Sequence, residues 1–240
     1  MALDRAILRW VISAYVVSLH VVVAVLLYKT DFITKAERKL GLRESTPWQA
    51  HYDTMMNYHK WMDENVPDNS IIFIGGSITQ GLAVAAVAPY SVNYGIGGET
   101  TSQLLDAIPH YKSLLRAKQV VLAIGHNDLA LGKKKGLNER LKKISETLPL
   151  EVPLIWCSVM PVKITFGQRI TQSDIAEANC TIRSLCQKRG NCIFVETHAL
   201  LADSQHQIIP QYFQDDGVHL SPHGYRQWIT ALRQAIKTGY

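Results

Sequence analysis

Charge is scarce in this chain, and unevenly spread. Asp, Glu, Lys and Arg make up 19% of its 240 residues. Residues 44–240 hold 18 Lys/Arg against 17 Asp/Glu, only +1 of the total formal charge of +5. No basic excess is left there to hold a phosphate backbone, which excludes nucleic acid as a partner. Internal repeats and low-complexity tracts are absent. A hydrophobic content of 47% with so little charge excludes a disordered chain. There are four cysteines, Cys157, Cys180, Cys186 and Cys192. Cys157 sits in an apolar, strand-like run, and buried thiols account for the set as well as a bridge does.

Residues 1–43 differ from the rest, with seven Lys/Arg against three Asp/Glu. Within them, Trp10 to Tyr28 is a run of 19 residues without formal charge, rich in Val, Leu and Ile. As a helix it would rise about 28 Å, close to the hydrocarbon thickness of a bilayer. Arg9 and Lys29 close its ends, with Trp10 and Tyr28 at interfacial depth. A cleaved leader would need small residues after the run, but Val25-Leu26-Leu27-Tyr28 is bulky. The expectation is an uncleaved membrane anchor over residues 1–28, with the bilayer met through residues 7–28. A polar juxtamembrane linker (29–46) and one domain (47–240) follow. Orientation is contested. The positive charges after the span argue for a cytoplasmic domain, whereas a single N-terminal anchor favours export, the preferred reading.

Thr46 and Pro47 open a helix as N-cap and N1 residues. Trp48, Tyr52, Met55, Met56, His59 and Met62 recur on it at helical spacing, a stripe expected to pack into the core. Apolar strand-like runs then alternate with helical patterns. The strands are Ile71–Ile74, Ser91–Tyr94, Gln119–Ile124, Leu154–Val159 and Cys192–Glu196. The helices run from Thr100 or Thr101 to about Lys112, Leu137 to Leu148, Ser173 to Arg189, and Pro222 to Ala235. This alternation predicts parallel βαβ units in a three-layer α/β/α sandwich.

The first strand runs into Gly75-Gly76-Ser77-Ile78. Strand carboxyl ends are where open parallel sheets bind ligands. Ser77 reads equally as a nucleophile or as a mere turn cap on these residues alone. Gly98 follows the second strand and Asn127 the third, while Asp216 and His219 precede the last helix, so the fold can bring them together. Acyl transfer asks for such a set. A serine needs a base, which His219 supplies. Asp216 would hold the imidazole tautomer. The Ser77 N–H, the Gly98 N–H and the Asn127 side-chain amide would face the oxyanion.

The blocks Gly75-Gly76-Ser77-Ile78, Asn93-Tyr94-Gly95-Ile96-Gly97-Gly98-Glu99-Thr100-Thr101, Gly125-His126-Asn127-Asp128 and Asp216-Gly217-Val218-His219-Leu220-Ser221 occur in that order. Together they resemble the SGNH (GDSL-type) hydrolases, over about residues 68–238. The second block is especially similar to the catalytic subunits of intracellular platelet-activating-factor acetylhydrolase. The resemblance implies a flavodoxin-like fold and an esterase without cofactor or metal. It implies Ser77 as nucleophile, His219 as base, Asp216 as its partner, and Gly98 and Asn127 completing the oxyanion hole. Implied substrates are small-molecule, lipid or glycan esters: short acyl esters, lysophospholipids, thioesters and O-acetylated sugars.

Two departures stand out. Gly76 replaces the Asp that usually precedes the serine, and Glu99 replaces the Asp after the oxyanion glycine. Gly76, Glu99 and His126 are candidate substrate-lining residues, although a surface position is the plainer reading for His126. Among rivals, Asp215 could stand in for Asp216, but the family spacing selects Asp216. His219 and His223 could hold a metal, yet no third ligand accompanies them. An α/β-hydrolase elbow would need glycine where Thr79 stands. An O-acyltransferase with a sugar acceptor and a silent membrane-held binding module are the alternatives to an esterase.

Overall fold

The computed structural model describes residues 5–29, 47–164 and 169–238. The Thr46 cap and most of the 29–46 linker lie outside the described residues. By internal contacts the chain divides into residues 1–50 and 51–240.

Helix α1 (Arg5–Lys29) contains 25 residues, and its described side chains are exposed on every face. Among the described residues no helix is long and apolar enough to cross a membrane. The expected span over residues 10–28 is therefore not shown.

Helix α2 (Pro47–Asp63) leads towards β1 (Ile71–Gly75), which is followed by the one-turn helix α3 (Ser77–Gln80) and β2 (Ser91–Gly95). Helix α4 (Thr101–Ala107), β3 (Gln119–Ala123), α5 (His126–Ala130), α6 (Leu137–Thr147) and β4 (Leu154–Cys157) come next. The chain closes with α7 (Gln172–Arg189), β5 (Cys192–Val195), α8 (Thr197–Leu201) and α9 (Pro222–Thr238). The five strands are all parallel, in the order β2-β1-β3-β4-β5. This is the flavodoxin-like order, with its switch point beside β1 and β3.

Strand periodicity divides the core. Ile72, Ile74, Val120, Leu122, Leu154 and Trp156 face one layer, packed with Met56, Leu104, Leu141, Ile144 and Ile182 from α2, α4, α6 and α7. Ile71, Phe73, Val121, Ile155 and Cys157 face the other, against Trp228, Leu232 and Ile236 of α9. Both faces of the sheet are thereby covered, as a parallel sheet requires.

Two expectations need correction, and the open question of the cysteines is answered. The helix after Thr100 stops at Ala107 and continues as short 3₁₀ turns over Ile108–His110 and Lys112–Arg116. Pro109 has no N–H with which to continue the α-helical ladder. On α2 the stripe splits: Met56 and His59 are buried, but Trp48 is 72% and Met62 39% exposed. Among the cysteines, Cys186 and Cys192 form a disulfide, while Cys157 is a buried thiol and Cys180 an exposed one.

Candidate active site

The strand register sets up the site. Gly75, Gly95 and Ala123 lie in one row across β2, β1 and β3. Ser77, Gly98 and Asn127 each follow that row by a few residues, at the carboxyl edge of the sheet. Ser77 opens α3, so its N–H has no intrahelical acceptor. The turn is fixed from β2: Asn93 Nδ2 donates to the carbonyls of Thr79 (2.8 Å), Gln80 (3.3 Å) and Leu82 (3.1 Å). From α9, the Tyr225 hydroxyl donates to the Ile78 carbonyl.

His219 reaches Ser77 from a loop far along the chain. Its Nε2 lies 2.9 Å from Ser77 Oγ, and its Nδ1 lies 2.6 Å from Asp216 Oδ2. Asp216 Oδ1 accepts the backbone N–H groups of Val218 and His219, both at 2.9 Å. Burial pushes the Asp216 carboxyl up. Its hydrogen bonds from the His219 ring and from these backbone groups outweigh that and hold it below the ordinary carboxylate value. The chain of bonds runs through Asp216, not Asp215.

Gly98 has φ +76°, a left-handed conformation that glycine adopts without steric cost. On either side, the Gly97 N–H donates to Gln80 Oε1 and the Glu99 N–H to the Ile96 carbonyl. Among the described residues, the Gly98 N–H makes no such bond. Asn127 Nδ2 donates to the Glu99 carbonyl at 2.9 Å, tying the third block to the second. A Cβ at Gly76 would stand 3.0 Å from Asn127 Nδ2, so glycine leaves that amide uncrowded.

A cavity of about 40 Å³ lies beside Ser77, walled by Gly76, Ala123, His126, Asn127, Val159 and Met160 among others. Of the candidate lining residues, Gly76 and His126 are therefore in place. Glu99 is not: its carboxyl is fully buried and not among the walls of that cavity, and among the described residues both oxygens lack hydrogen-bond partners. Burial raises its pKa well above the ordinary value.

Sequence reasoning missed the side chains that clamp these loops together. Asp128, also fully buried, accepts the Thr101 N–H (2.9 Å) and hydroxyl (2.6 Å) and Arg140 Nη2 (3.2 Å). Arg140 Nε donates to the Thr101 hydroxyl at 2.8 Å, and its Nη2 also to the Lys133 carbonyl. Gln80 and Arg140 carried no motif. Asp128 was visible only as the neighbour of Asn127.

The model of the GDSL-like Lipase/Acylhydrolase family matches residues 73–227. No curated protein sequence matches the chain. Among solved structures, a Streptococcus pneumonia protein named after platelet activating factor superposes with a TM-score of 0.70 at 20% identity, covering 87% of this chain and 100% of its own. A GDSL-like lipase from Bacteroides thetaiotaomicron gives a TM-score of 0.66 at 22% identity, covering 78% and 100%. An acetylxylan esterase from Geobacillus stearothermophilus gives 0.58 at 20% identity, covering 70% and 94%. These likenesses are of fold, but the family match extends over more than half of the chain and takes in Ser77, Gly98, Asn127, Asp216 and His219. The chain belongs to the GDSL-like lipase/acylhydrolase family and is a serine hydrolase of carboxylic esters.

Proposed function

We propose that the chain cleaves short acyl esters through an acyl-enzyme on Ser77. The observation that carries this reading is the continuous hydrogen-bonded relay from Asp216 through His219 to Ser77 Oγ. With Nδ1–H donated to Asp216, Nε2 of His219 is the acceptor for the serine proton. Ser77 attacks the ester carbonyl, and its proton moves to Nε2. The oxyanion forms among the Ser77 N–H, the Gly98 N–H and the Asn127 amide. Collapse expels the alcohol, which takes the proton from His219, and water repeats the sequence on the acyl-enzyme. No step calls for a metal or cofactor. The cavity at Ser77 has room for a short acyl group such as O-acetyl. Trapping with a fluorescent fluorophosphonate tests the reading. Labelling of the native chain that disappears in Ser77→Ala is expected, and equal labelling of both would overturn it.

The proposal extends to location. Residues 10–28 form the anchor, on the strength of their length and freedom from charge. The domain after it is exported: the Cys186–Cys192 disulfide belongs to an oxidising compartment. That bridge outweighs the positive charges following the span. Reporter fusions at the C-terminus, active only outside the cytoplasm, are the expected result, and the reverse pattern would overturn the orientation.

A further inference from the structure

A second and much larger cavity, of about 650 Å³, lies at the carboxyl end of β5, lined by residues of α7, α8 and the loop after α8. That volume falls within the roughly 300–1,000 Å³ of small-molecule sites. The two cavities share a wall. Ser158 lines the first, and its hydroxyl accepts the N–H of His198, which lines the second, at 2.9 Å. Val159 also lines the first. Its N–H and carbonyl are bonded to the side chain of Asn179 in the second, at 2.7 and 3.1 Å.

The lining joins an apolar patch to a few hydrogen-bonding groups. Ile175, Ala176, Ala199 and Ala202 make the patch. The polar lining includes Gln172, Glu196, His198, Asp203 and His206. The two imidazoles lie with their centroids 5.6 Å apart. His198 is only 9% exposed, yet among the described residues its ring makes no hydrogen bond, and its nitrogens are not sealed from solvent. Burial, and then His206, lower its pKa, so at pH 7 the ring is mostly neutral and offers one donor and one acceptor. The carboxylates are half engaged. Glu196 Oε2 pairs with Arg183, and Asp203 Oδ1 accepts the N–H groups of Gln205 and Gln207. Gln172 Nε2 donates to the His206 carbonyl. Glu196 Oε1, Asp203 Oδ2 and Gln172 Oε1 are left as acceptors.

This set selects its ligand by exclusion. An anion would meet two carboxylates, with no Lys or Arg among the lining residues to hold it. A metal ion would need a third side-chain donor, and among the described residues no such group converges. Arg183 already neutralises Glu196, which weakens the demand for a cation. A wholly apolar ligand would leave the acceptors unpaired. A sugar ring meets each condition: its hydroxyls pair with the carboxylate, amide and imidazole groups, and its C–H face rests on the alanines. We propose that this cavity binds a neutral saccharide unit of the molecule whose ester Ser77 cleaves. The binding stands on the cavity alone, and its link to the substrate rests on the acyl-enzyme reading above.

The test uses the full chain in a detergent without a sugar headgroup. Saturation-transfer NMR and calorimetry measure binding of xylotriose, mannotriose and tri-N-acetylchitotriose to the native chain, Ala176→Trp and His198→Leu. Ala176 is an exposed position of α7, so a tryptophan there occupies the cavity without entering the core. At least one trisaccharide is expected to bind, about tenfold or more weakly in both variants. On the O-acetyl form of that sugar, Ala176→Trp raises KM and leaves kcat, while turnover of nitrophenyl acetate stays native. Binding of none of the three overturns the proposal, as does equal binding by a folded Ala176→Trp chain. An unchanged KM for the acetylated sugar overturns the link to the substrate. If His198→Leu does not fold, Ala176→Trp decides. Failure of the parent reading looks different: ester turnover would survive in Ser77→Ala, with sugar binding unaffected.

Discussion

A serine hydroxyl becomes a nucleophile only when a base stands within hydrogen-bond reach and a third group fixes that base. At Ser77 these conditions meet over a separation of 142 residues. If the proposed roles hold, Asp216→Asn lowers kcat on the order of 10³–10⁴-fold by releasing the His219 tautomer, without unfolding the domain. Asn127→Ala removes an oxyanion donor and lowers kcat on the order of 10²–10³-fold. Steady-state kinetics on nitrophenyl acetate read both, and a loss of under threefold in either would refute its assignment. The residues of the relay were legible because each sits in a short block of unusual composition. Their partners were not. Arg140 joins Thr101 and Asp128 by bonds between helices that are distant in sequence, and no local pattern announces such a bond. His126 read most plainly as a surface residue because nothing in its neighbours reveals that α5 begins at the cavity wall.

At the scale of elements, the site depends on how α4 and α5 are fastened. Thr100 caps α4 through a reciprocal capping box with Gln103, directly after the Gly98 turn. Thr100→Ala is expected to cost about 1 kcal/mol in denaturant unfolding. Asp128→Ala leaves Arg140 without its buried carboxylate and the Thr101 N–H without its acceptor. Roughly 3 kcal/mol of lost stability is expected, along with a fall in kcat as Gly98 and Asn127 lose their spacing. Normal kinetics in that variant would show that the clamp does not position the site.

Helix α2 supplies a pH-dependent term. His59 is buried with its Nδ1 3.0 Å from the Tyr111 hydroxyl, and burial lowers its pKa to about 4. The folded state therefore holds it neutral, while the unfolded chain takes up a proton below about pH 6.5. Its contribution is full above that pH and is lost as pH falls towards 4, by roughly 3 kcal/mol at most. In His59→Gln, unfolding free energy measured from pH 7 to 4 is expected to fall less steeply than in the native chain. Equal slopes would contradict this. Helix periodicity placed α2 correctly but not which edges of its stripe stay wet. Trp48 and Met62 belong to the same apolar pattern as Met56, and only the packing of the sheet separates them.

For the whole molecule, strand alternation and four ordered blocks made the fold legible, because the central strands β1, β3 and β4 are buried on both faces and read as apolar runs. The disulfide was not legible, since an even number of cysteines is equally consistent with buried thiols. Cys186 and Cys192 close a short loop between α7 and β5. Reducing the bridge is expected to cost about 2 kcal/mol by the loop-entropy model. Thermal unfolding with and without reductant measures this, and an unchanged Tm would deny the bridge a stabilising role.

The most direct test of the central claim is active-site trapping by a fluorescent fluorophosphonate, on the full chain in detergent beside its Ser77→Ala variant. The account predicts one labelled serine in the native chain, Ser77, with labelling and ester turnover both absent from the variant. Labelling elsewhere, or turnover that persists without the Ser77 hydroxyl, would contradict it.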